Sequence, residues 1–322
     1  MKLPRIFFIM DPMHSLNIHK DSTLSMMMAA QNLVDDYYYV DPSAIFVDET
    51  IVKATVQAVD LDLTQDDWYQ LDDKEVITFT ENDIILQRKD PPFDMHYIYV
   101  TYLLELAEKQ GALVCNSPRS LRDCNEKLYT AWFPELCPPT LITSQYEHLK
   151  NFVAKHHDTI IKPLDGMGGS AIFRIQETDP NLNVIMETLT EHQKTTVMIQ
   201  RYIPEITKGD KRILLINGEP IPYSMTRIPA EGETRANLAV GGTAIVEPLS
   251  ERDFEICAKV APELKKRGLY FVGLDVIGDY LTEINVTSPT GIRQIENSTG
   301  IPVGQDLISV LIEEWKNKRN VS

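Results

Sequence analysis

The sequence predicts an α/β protein that opens with a sheet covered by helices and continues as more irregular α+β structure. Strand-like and helix-like stretches alternate along residues 5–116, which favours a largely parallel, open sheet. Of the 15 glycines, only Gly111 precedes residue 160, so tight loops are concentrated in the second half. The length of 322 residues exceeds what a single core normally supports, and this predicts two or three domains.

The first part contains the regular elements. An apolar strand at 5–11 leads into a helix at 22–33, for which Asp21 or Ser22 is the N-cap. Apolar and polar residues alternate with period two along 44–63, which predicts a meander. The remaining elements are a strand that begins at residue 83 and runs into a loop stopped by Pro91 and Pro92, a helix at 97–111 closed by Gly111, a strand at 112–116 and a linking helix at 117–133.

The second part mixes strands, helices and glycine-containing loops. Residues 140–203 predict strand, helix, strand, glycine loop, strand, helix and strand. Two hairpins follow, at 212–228 with an Asn217-Gly218 turn and at 270–292, together with helices at 250–268 and 303–319. We therefore expect an N-terminal α/β domain at 1–125, a central α+β lid domain with the glycine loop at 126–200, and a C-terminal domain at 201–322.

Charge and cysteine content exclude several classes of protein. Lys and Arg number 31 against 47 Asp and Glu, a net charge of -16, which argues against nucleic acid and anionic membranes as partners. No apolar run approaches the roughly 20 residues that span a bilayer, and the N-terminus does not resemble a signal peptide. The four cysteines lack zinc-type or disulfide-type spacing. We expect a soluble protein of a reducing compartment, the cytoplasm.

The stretch "KPLDGMGGS" at 162–170 lies between two apolar runs and pairs a lysine with three glycines. Glycine lets backbone N–H groups approach an anion closely, and Lys162 at a strand end can pair with phosphate as a point charge. The lysine precedes the glycines and a strand follows them, so the stretch matches neither a P-loop nor a dinucleotide fingerprint. It predicts a phosphate-binding loop, with a plain hairpin turn as the alternative.

Three oxygen-bearing side chains suggest a metal site in the second hairpin. Glu283 and Asn285 are two residues apart on a strand and so share a face, and Asp275 lies on the preceding strand. Carboxylate and amide oxygens suit Mg²⁺. The alternative is a polar strand face exposed to solvent. However, the apolar residues that alternate with these three side chains predict buried strands, in which an acidic side chain without a partner or a function is rare.

The turn of this hairpin decides whether the carboxylates meet. A two-residue turn at Gly278-Asp279 would place Asp275 opposite Thr282 and direct Glu283 to the other face. We therefore predict a three-residue loop or a bulge that brings Asp275 opposite Glu283.

A dispersed set of basic residues lies near strand ends and loops. Each is individually more often a solvated surface charge. The exception is "QRKDPPF", where Arg88 and Lys89 end an apolar strand and meet a rigid proline loop, as at a ligand crevice of an open α/β sheet. The full set is Arg88, Lys127, Arg212, Arg227, Arg235 and Arg293.

Five stretches in combination resemble bacterial glutathione synthetase of the ATP-grasp superfamily. They are "MDP" at 10–12, "RKDPPFD" at 88–94, "NSPRSLRDCNEKL" at 116–128, "KPLDGMGG" at 162–169 and "EINVTSPTGIR" at 283–293. The resemblance implies an ATP-grasp fold preceded by the open α/β domain, with ATP held between the central and C-terminal domains. The glycine loop would then be a flexible lid over the phosphates.

The resemblance also implies roles for particular residues. The nucleotide-binding set is Lys127, Lys162, Gly166, Met167, Gly168, Gly169, Gln200, Tyr202, Ile203 and Asp210, with the last at the ribose. The metal-binding set, for Mg²⁺ or Mn²⁺, is Asp275, Glu283 and Asn285. The catalytic set is Arg212, Arg227 and Arg235, and the substrate set is Arg88, Arg227, Arg235 and Ser288. One departure is Thr243, where an arginine is expected after Gly241-Gly242.

The implied reaction joins γ-glutamylcysteine and glycine, with ATP activating the carboxylate as an acyl phosphate. Such catalysis needs positioning and charge neutralisation rather than a side-chain nucleophile. The 14 or so residues from Pro229 to Gly242 lack periodicity, and we expect them to act as a lid that excludes water. The resemblance further implies a homo-oligomer, a tetramer.

Two other functions are compatible with part of this sequence. A D-alanine–D-alanine ligase would share the metal strand and the lysines, but it is not expected to carry "RKDPPFD" and "NSPRSLRDCNEKL". A nucleotide-binding regulator without catalysis would lack a metal ligand or a phosphate lysine, and this chain has both.

Overall fold

The computed structural model describes residues 3–166, 168–230 and 243–321. These residues form three β-sheets of eight, four and five strands, which follow one another along the chain. The strand-rich segments correspond to the three segments expected from the sequence, and the domain boundaries remain predictions. Among the helices of the described part, none is long and apolar enough to cross a bilayer.

The N-terminal sheet combines a parallel centre with antiparallel edges. Its strands are β1 (Arg5–Ile9), β2 (Tyr37–Val40), β3 (Ile45–Asp48), β4 (Ile51–Leu61), β5 (Tyr69–Leu71), β6 (Glu75–Thr78), β7 (Asp83–Gln87) and β8 (Leu113–Cys115). Strands β2, β1, β7 and β8 are parallel neighbours, whereas β3, β5 and β6 pair antiparallel with β4. The predicted meander is the β3–β4 hairpin, and strands β2, β5 and β6 were not anticipated.

Two helices, α1 (Ser22–Leu33) and α2 (Met95–Lys109), cover opposite faces of this sheet. Ile6 and Phe8 of β1 join the core on the α1 side, whereas Phe7 and Ile9 join the core on the α2 side. Residues 6–9 of this parallel strand are buried on both faces and are accordingly all apolar, whereas Arg5 at its start is partly exposed. The predicted N-cap at Asp21 is confirmed, because its carboxylate accepts a hydrogen bond from the Leu24 N–H at 2.9 Å.

The linking segment is not the single helix that the sequence predicted. Helix α3 covers only Pro118–Asp123, and two 3-10 turns follow at Leu128–Trp132 and Pro134–Leu136. The break occurs at Asn125, whose side-chain oxygen accepts hydrogen bonds from the N–H groups of Lys127 and Leu128. Such a local side-chain bond competes with helical bonding and turns the chain.

The central sheet is antiparallel and carries the glycine loop. Its strands are β9 (Thr140–Thr143), β10 (Asp158–Pro163), β11 (Phe173–Gln176) and β12 (Val197–Arg201), in the order β11-β10-β12-β9. Helices α4 (Tyr146–His156) and α5 (Leu182–Leu189) pack against this sheet over a small apolar core. The glycine loop connects β10 to β11, so it is the tip of a hairpin that projects from the sheet.

The C-terminal sheet is also antiparallel. Its strands are β13 (Asp210–Ile216), β14 (Glu219–Ile228), β15 (Thr243–Pro248), β16 (Phe271–Ile277) and β17 (Tyr280–Asn285), in the order β15-β14-β13-β16-β17. Asn217 and Gly218 have φ of 47° and 77°, which confirms the predicted hairpin turn between β13 and β14. The remaining helices are α6 (Glu251–Lys266), α7 (Ile292–Thr299) and α8 (Val303–Val321).

The β16–β17 hairpin contains the predicted bulge, but not the predicted three-residue loop. Ile277 pairs with Tyr280 across a two-residue turn, and the register then shifts so that Asp275 pairs with Glu283. Thr282 is the extra residue, and its hydroxyl donates to the Asp275 carbonyl at 3.0 Å. A two-residue turn alone would place Asp275 and Glu283 on opposite faces of the sheet. The extra residue in the bulge reverses this, so both side chains face the same side.

Candidate active site

A cavity lies between the central sheet and the C-terminal sheet. Apolar residues form part of its wall: Ile160 of the central sheet, Ile277 of the C-terminal sheet, and Ile206 of the 3-10 turn Pro204–Lys208 that connects them. Of the ten residues assigned to the nucleotide by resemblance, nine line it, and the tenth, Met167, lies outside the described residues. The nine are Lys127, Lys162, Gly166, Gly168, Gly169, Gln200, Tyr202, Ile203 and Asp210.

Around Gln200 and Tyr202, the cavity wall combines apolar residues with polar side chains that are held in place. Gln200 is buried and donates from Nε2 to the Thr140 hydroxyl at 3.0 Å, which fixes its amide. The Tyr202 ring lies 3.7 Å from the Arg174 guanidinium, and Arg174 is itself paired with Asp158. The apolar walls and fixed polar groups match the usual composition of small-molecule sites.

Two buried lysines also line this cavity, and they converge on one carboxylate. Lys127 Nζ donates to the Gly166 carbonyl at 2.9 Å, and Lys162 Nζ lies 3.4 Å from the Thr282 carbonyl. Both ammonium groups face the Glu283 carboxylate, at 3.9 and 3.6 Å. Burial lowers the pKa of Lys162, with Glu283 opposing the shift. Two cations beside a glycine loop have the charge and the backbone groups that phosphate binding requires, and the predicted phosphate contact stays a prediction.

Next to the lysines, two arginines and two aspartates form a buried charge cluster. Asp275 accepts from Arg212 at 2.5 and 3.0 Å and lies 2.9 Å from Arg227 Nη2. Arg227 also donates to Asp210 at 2.5 Å. The pairing follows from the strand register, because Arg212 is the partner of Asp275 and Asp210 the partner of Arg227.

The two aspartates respond differently to this cluster. Burial alone would raise the pKa of Asp275, but the guanidiniums of Arg212 and Arg227 outweigh it and hold the pKa well below its ordinary range. Burial raises the pKa of Asp210 to about 7, with Arg227 opposing. The Oδ1 atom of Asp210 is buried and accepts no hydrogen bond from the described residues. It is therefore free to contact a ligand in the cavity, and the predicted ribose contact stays a prediction.

The residues predicted to bind a metal are adjacent and chemically suitable. Asp275, Glu283 and Asn285 line a second cavity that shares two carboxylates and two loop glycines with the first. Asn285 donates from Nδ2 to the Gly273 carbonyl, which fixes the orientation of its amide. Asp275 retains part of its acceptor capacity beyond its arginine bonds. The described residues contain no group of three His, Cys, Asp or Glu residues able to hold a metal, so the amide is needed to complete this set.

The predicted substrate residues lie along this second cavity and a third one that adjoins it. Arg212, Arg227 and Ser288 line the second cavity. Ser288 also lines the third, together with Arg88. Arg88 is buried, donating to the Thr23 hydroxyl and the Pro289 carbonyl, and burial lowers its pKa. Arg235 and residues 231–242, which include most of the predicted lid, lie outside the described residues.

Two further residues belong to this region and were not predicted from the sequence: Glu126, which lines the second cavity, and its neighbour Asn125. Asn125 donates to the Leu164 carbonyl and to Asp165, at the base of the glycine loop. Glu126 accepts hydrogen bonds from Val286 and Thr287, directly after β17. The sequence feature that could have indicated them is the polar run "DCNEK" at 123–127, which interrupts an otherwise helical pattern.

Comparison with known proteins identifies the family. The N-terminal domain model of prokaryotic glutathione synthetase matches residues 5–122, and its ATP-grasp domain model matches residues 126–300. The chain is 52% identical to glutathione synthetase of Vibrio parahaemolyticus over 314 residues, which is 98% of this chain and 99% of that protein. It is 50% identical to glutathione synthetase of Pseudomonas aeruginosa over 307 residues, covering 95% and 97%.

Solved structures agree on the fold. The D-cycloserine synthetase DcsG aligns with a TM-score of 0.65 at 13% identity, covering 95% of this chain and 99% of that one. The ATP-grasp ligase PsnB, complexed with minimal precursor, Mg and ADP, aligns with a TM-score of 0.62 at 17% identity, covering 97% and 98%. The chain has the ATP-grasp fold and belongs to the prokaryotic glutathione synthetase family.

Proposed function

We propose that this chain joins the cysteinyl carboxylate of γ-glutamylcysteine to the amine of glycine, with conversion of ATP to ADP and phosphate. The observation that supports this most directly is the convergence of two buried lysines, two buried arginines and three carboxylates where the nucleotide and substrate cavities meet. A phosphoryl group at this boundary lies within reach of both the nucleotide and a second substrate.

The proposed course has two steps. The peptide carboxylate takes the γ-phosphoryl group of ATP, giving an acyl phosphate and ADP. The neutral amine of glycine then attacks the acyl carbon, phosphate leaves, and the nitrogen releases a proton as the amide forms. Neither step needs a side-chain nucleophile, so the work of the protein is positioning and charge neutralisation.

The charged residues divide between these two tasks. Lys127 and Lys162 neutralise the phosphates, and Glu283 keeps the two ammonium groups directed to one point. Arg212 and Arg227, held by Asp275, face the substrate cavity and can neutralise the peptide carboxylate and the developing charge. Asp275, Glu283 and Asn285 would hold Mg²⁺, or Mn²⁺ in its place, which supplies charge neutralisation at the phosphate oxygens when bound.

The test is coupled ADP release with γ-glutamylcysteine and glycine together, with each alone, and with D-alanine in place of both. We expect ADP release only with the complete pair, in a ratio near one to glutathione measured by mass spectrometry. Release driven by D-alanine, without glutathione, would reject the proposal in favour of a D-alanine–D-alanine ligase.

We also place the protein in the cytoplasm, as a homo-oligomer. Its four cysteines are free thiols, and three of them are buried, as expected in a reducing compartment. On the solvent side of α2, four exposed apolar side chains follow helical spacing, which suits contact with another subunit: Met95, Tyr99, Tyr102 and Leu106. Light scattering coupled to gel filtration would show a monomer if the oligomer proposal is wrong.

A further inference from the structure

Strand β17 carries Glu283 and Asn285, yet it is the last strand of its sheet. An edge strand presents a row of backbone N–H and C=O groups with no neighbouring strand to bind them. At this edge, the Ile284 N–H donates to the Glu126 carbonyl at 2.9 Å. The next outward N–H, of Val286, donates to the Glu126 carboxylate at 3.0 Å. Glu126 thus occupies the position of a neighbouring strand.

The carboxylate of Glu126 continues this pairing past the end of the strand. Its Oε1 atom also accepts from the Thr287 N–H at 3.1 Å and from the Thr287 hydroxyl at 2.7 Å. One oxygen therefore holds three donors on two successive residues. Those residues are flanked by Asn285 on one side and Ser288 on the other, and both of these line the substrate cavity.

The residues on either side of Glu126 contact the glycine loop. Asn125 binds the base of the glycine loop, and Lys127 binds the Gly166 carbonyl and faces Glu283. Three consecutive side chains therefore join the glycine loop to the strand that carries the carboxylates. Within this group, Glu126 is the one whose bonds reach the residues after Asn285.

We propose that Glu126 is a positioning residue, whose Oε1 acceptor fixes the end of β17 and so aims Asn285 and Ser288 into the substrate cavity. Its effect on turnover rests on the proposed ligation, whereas its effect on the backbone does not. All three bonds use one oxygen as acceptor, so the role requires an acceptor and not a negative charge.

The test compares E126Q, which retains an acceptor oxygen, with E126A, which removes it. We expect E126A to lower kcat/KM for γ-glutamylcysteine by about 10²-fold, since small displacements of positioned groups have effects of that size. E126Q should recover most of this loss. The affinity for ADP without metal, measured by titration calorimetry, should change by less than about threefold, because the wall around Gln200 does not depend on Glu126. E219A, which removes an exposed partner of Lys265, is the surface control.

Amide hydrogen exchange gives a readout that does not depend on activity. In peptides spanning 283–288, the Val286 and Thr287 N–H groups should exchange at least about tenfold faster in E126A than in wild type, with E126Q close to wild type. Equal damage in E126Q and E126A would show that the charge matters and would overturn the proposal, as would wild-type exchange in E126A. If the wild-type chain forms no glutathione, the proposed function fails, and the exchange data still decide the role of Glu126.

Discussion

At the scale of single residues, Glu283 connects the nucleotide side of the site to the substrate side. Its carboxylate lies 3.9 Å from Lys127 and 3.6 Å from Lys162, and it lines both cavities. Glu283→Gln keeps the shape but removes the charge that holds the lysines and would bind the metal. We expect turnover to fall by about 10³-fold, in the range seen when a charge-stabilising group is lost.

The same substitution should affect stability far less than turnover. Glu283 is partly solvated, with 21% of its side chain exposed, so we expect a loss of about 1–2 kcal/mol in the free energy of unfolding. Steady-state kinetics at saturating magnesium and urea denaturation measure the two effects. Glu219→Gln, at an exposed pair with Lys265, is the matched control. Near-normal turnover in Glu283→Gln would remove this residue from the proposed metal site.

Asp210 makes the stability of the protein depend on pH. Burial raises its pKa to about 7 from an ordinary value of 3.8. Between these values the folded state retains a proton that the unfolded state has released, so rising pH favours unfolding. The stability that Asp210 contributes is complete below about pH 4 and is lost as the pH rises through about 7. Asp275 has the opposite effect on stability. Its pKa in the folded state lies below its ordinary value, so the stability that it contributes is lost only as the pH falls through that lower pKa.

Asp210→Asn removes the pH-dependent contribution of Asp210 to stability, because an amide does not titrate. The free energy of unfolding of the variant, relative to wild type, should rise by on the order of 2–4 kcal/mol between pH 4 and pH 8. Urea denaturation at several pH values measures the difference. A difference that stays constant over this range would show that Asp210 is ionised throughout.

At the scale of elements, Gly273 allows β16 to pair with β13 while Arg212 crosses over it. A Cβ at this position would lie 2.8 Å from Arg212 Cδ and 3.0 Å from Pro289 Cβ. Gly273→Ala should therefore push Arg212 away from Asp275. We expect about 10²-fold lower turnover and a loss of about 1–3 kcal/mol in stability from overpacking.

A double-mutant cycle tests whether this effect passes through Arg212. In an Arg212→Ala background the obstructing side chain is absent, so Gly273→Ala should lower turnover by less than about threefold. Full additivity of the two substitutions would show that Gly273 acts through another contact, such as Pro289.

At the scale of the whole molecule, the C-terminal helix packs on the N-terminal part of the chain. Leu307, Leu311 and Trp315 of α8 share a core with Ile6 and Phe8 of β1. The Trp315 indole also donates to the Glu81 carbonyl at 2.8 Å. The segments expected as first and third domains are thus joined by one apolar core, and we expect them to unfold together.

Trp315→Ala tests this coupling. The ring is 2% exposed, so its removal should cost about 3–5 kcal/mol. Circular dichroism and metal-free ADP binding should report the same shifted denaturation midpoint. Trp132→Ala, at a tryptophan that is 53% exposed, should lower stability by less than about 1 kcal/mol. Separate midpoints for the two probes would contradict a single unfolding unit.

The sequence predicted the elements whose cause is local. The Asn217-Gly218 turn, the Asp21 cap and the shared face of Glu283 and Asn285 each depend on a few neighbouring residues. The glycine loop and its lysine were also predicted from the sequence, because all of their residues lie within nine consecutive positions. Strands β2, β5, β6 and β15 were missed, since short strands gain their stability from partners distant in the chain.

The sequence by itself determined the α/β class, the family resemblance and the residue types available for phosphate and metal binding. The tertiary structure decided which of them meet. The bulge at Thr282 places Asp275 beside Glu283, and the β13–β16 register joins Arg212 to Asp275 across 63 positions of sequence. Glu126 reaches the end of β17 across 160 positions. The physical reason is that strand register is set by packing of distant segments, and a slip of one residue reverses every side chain.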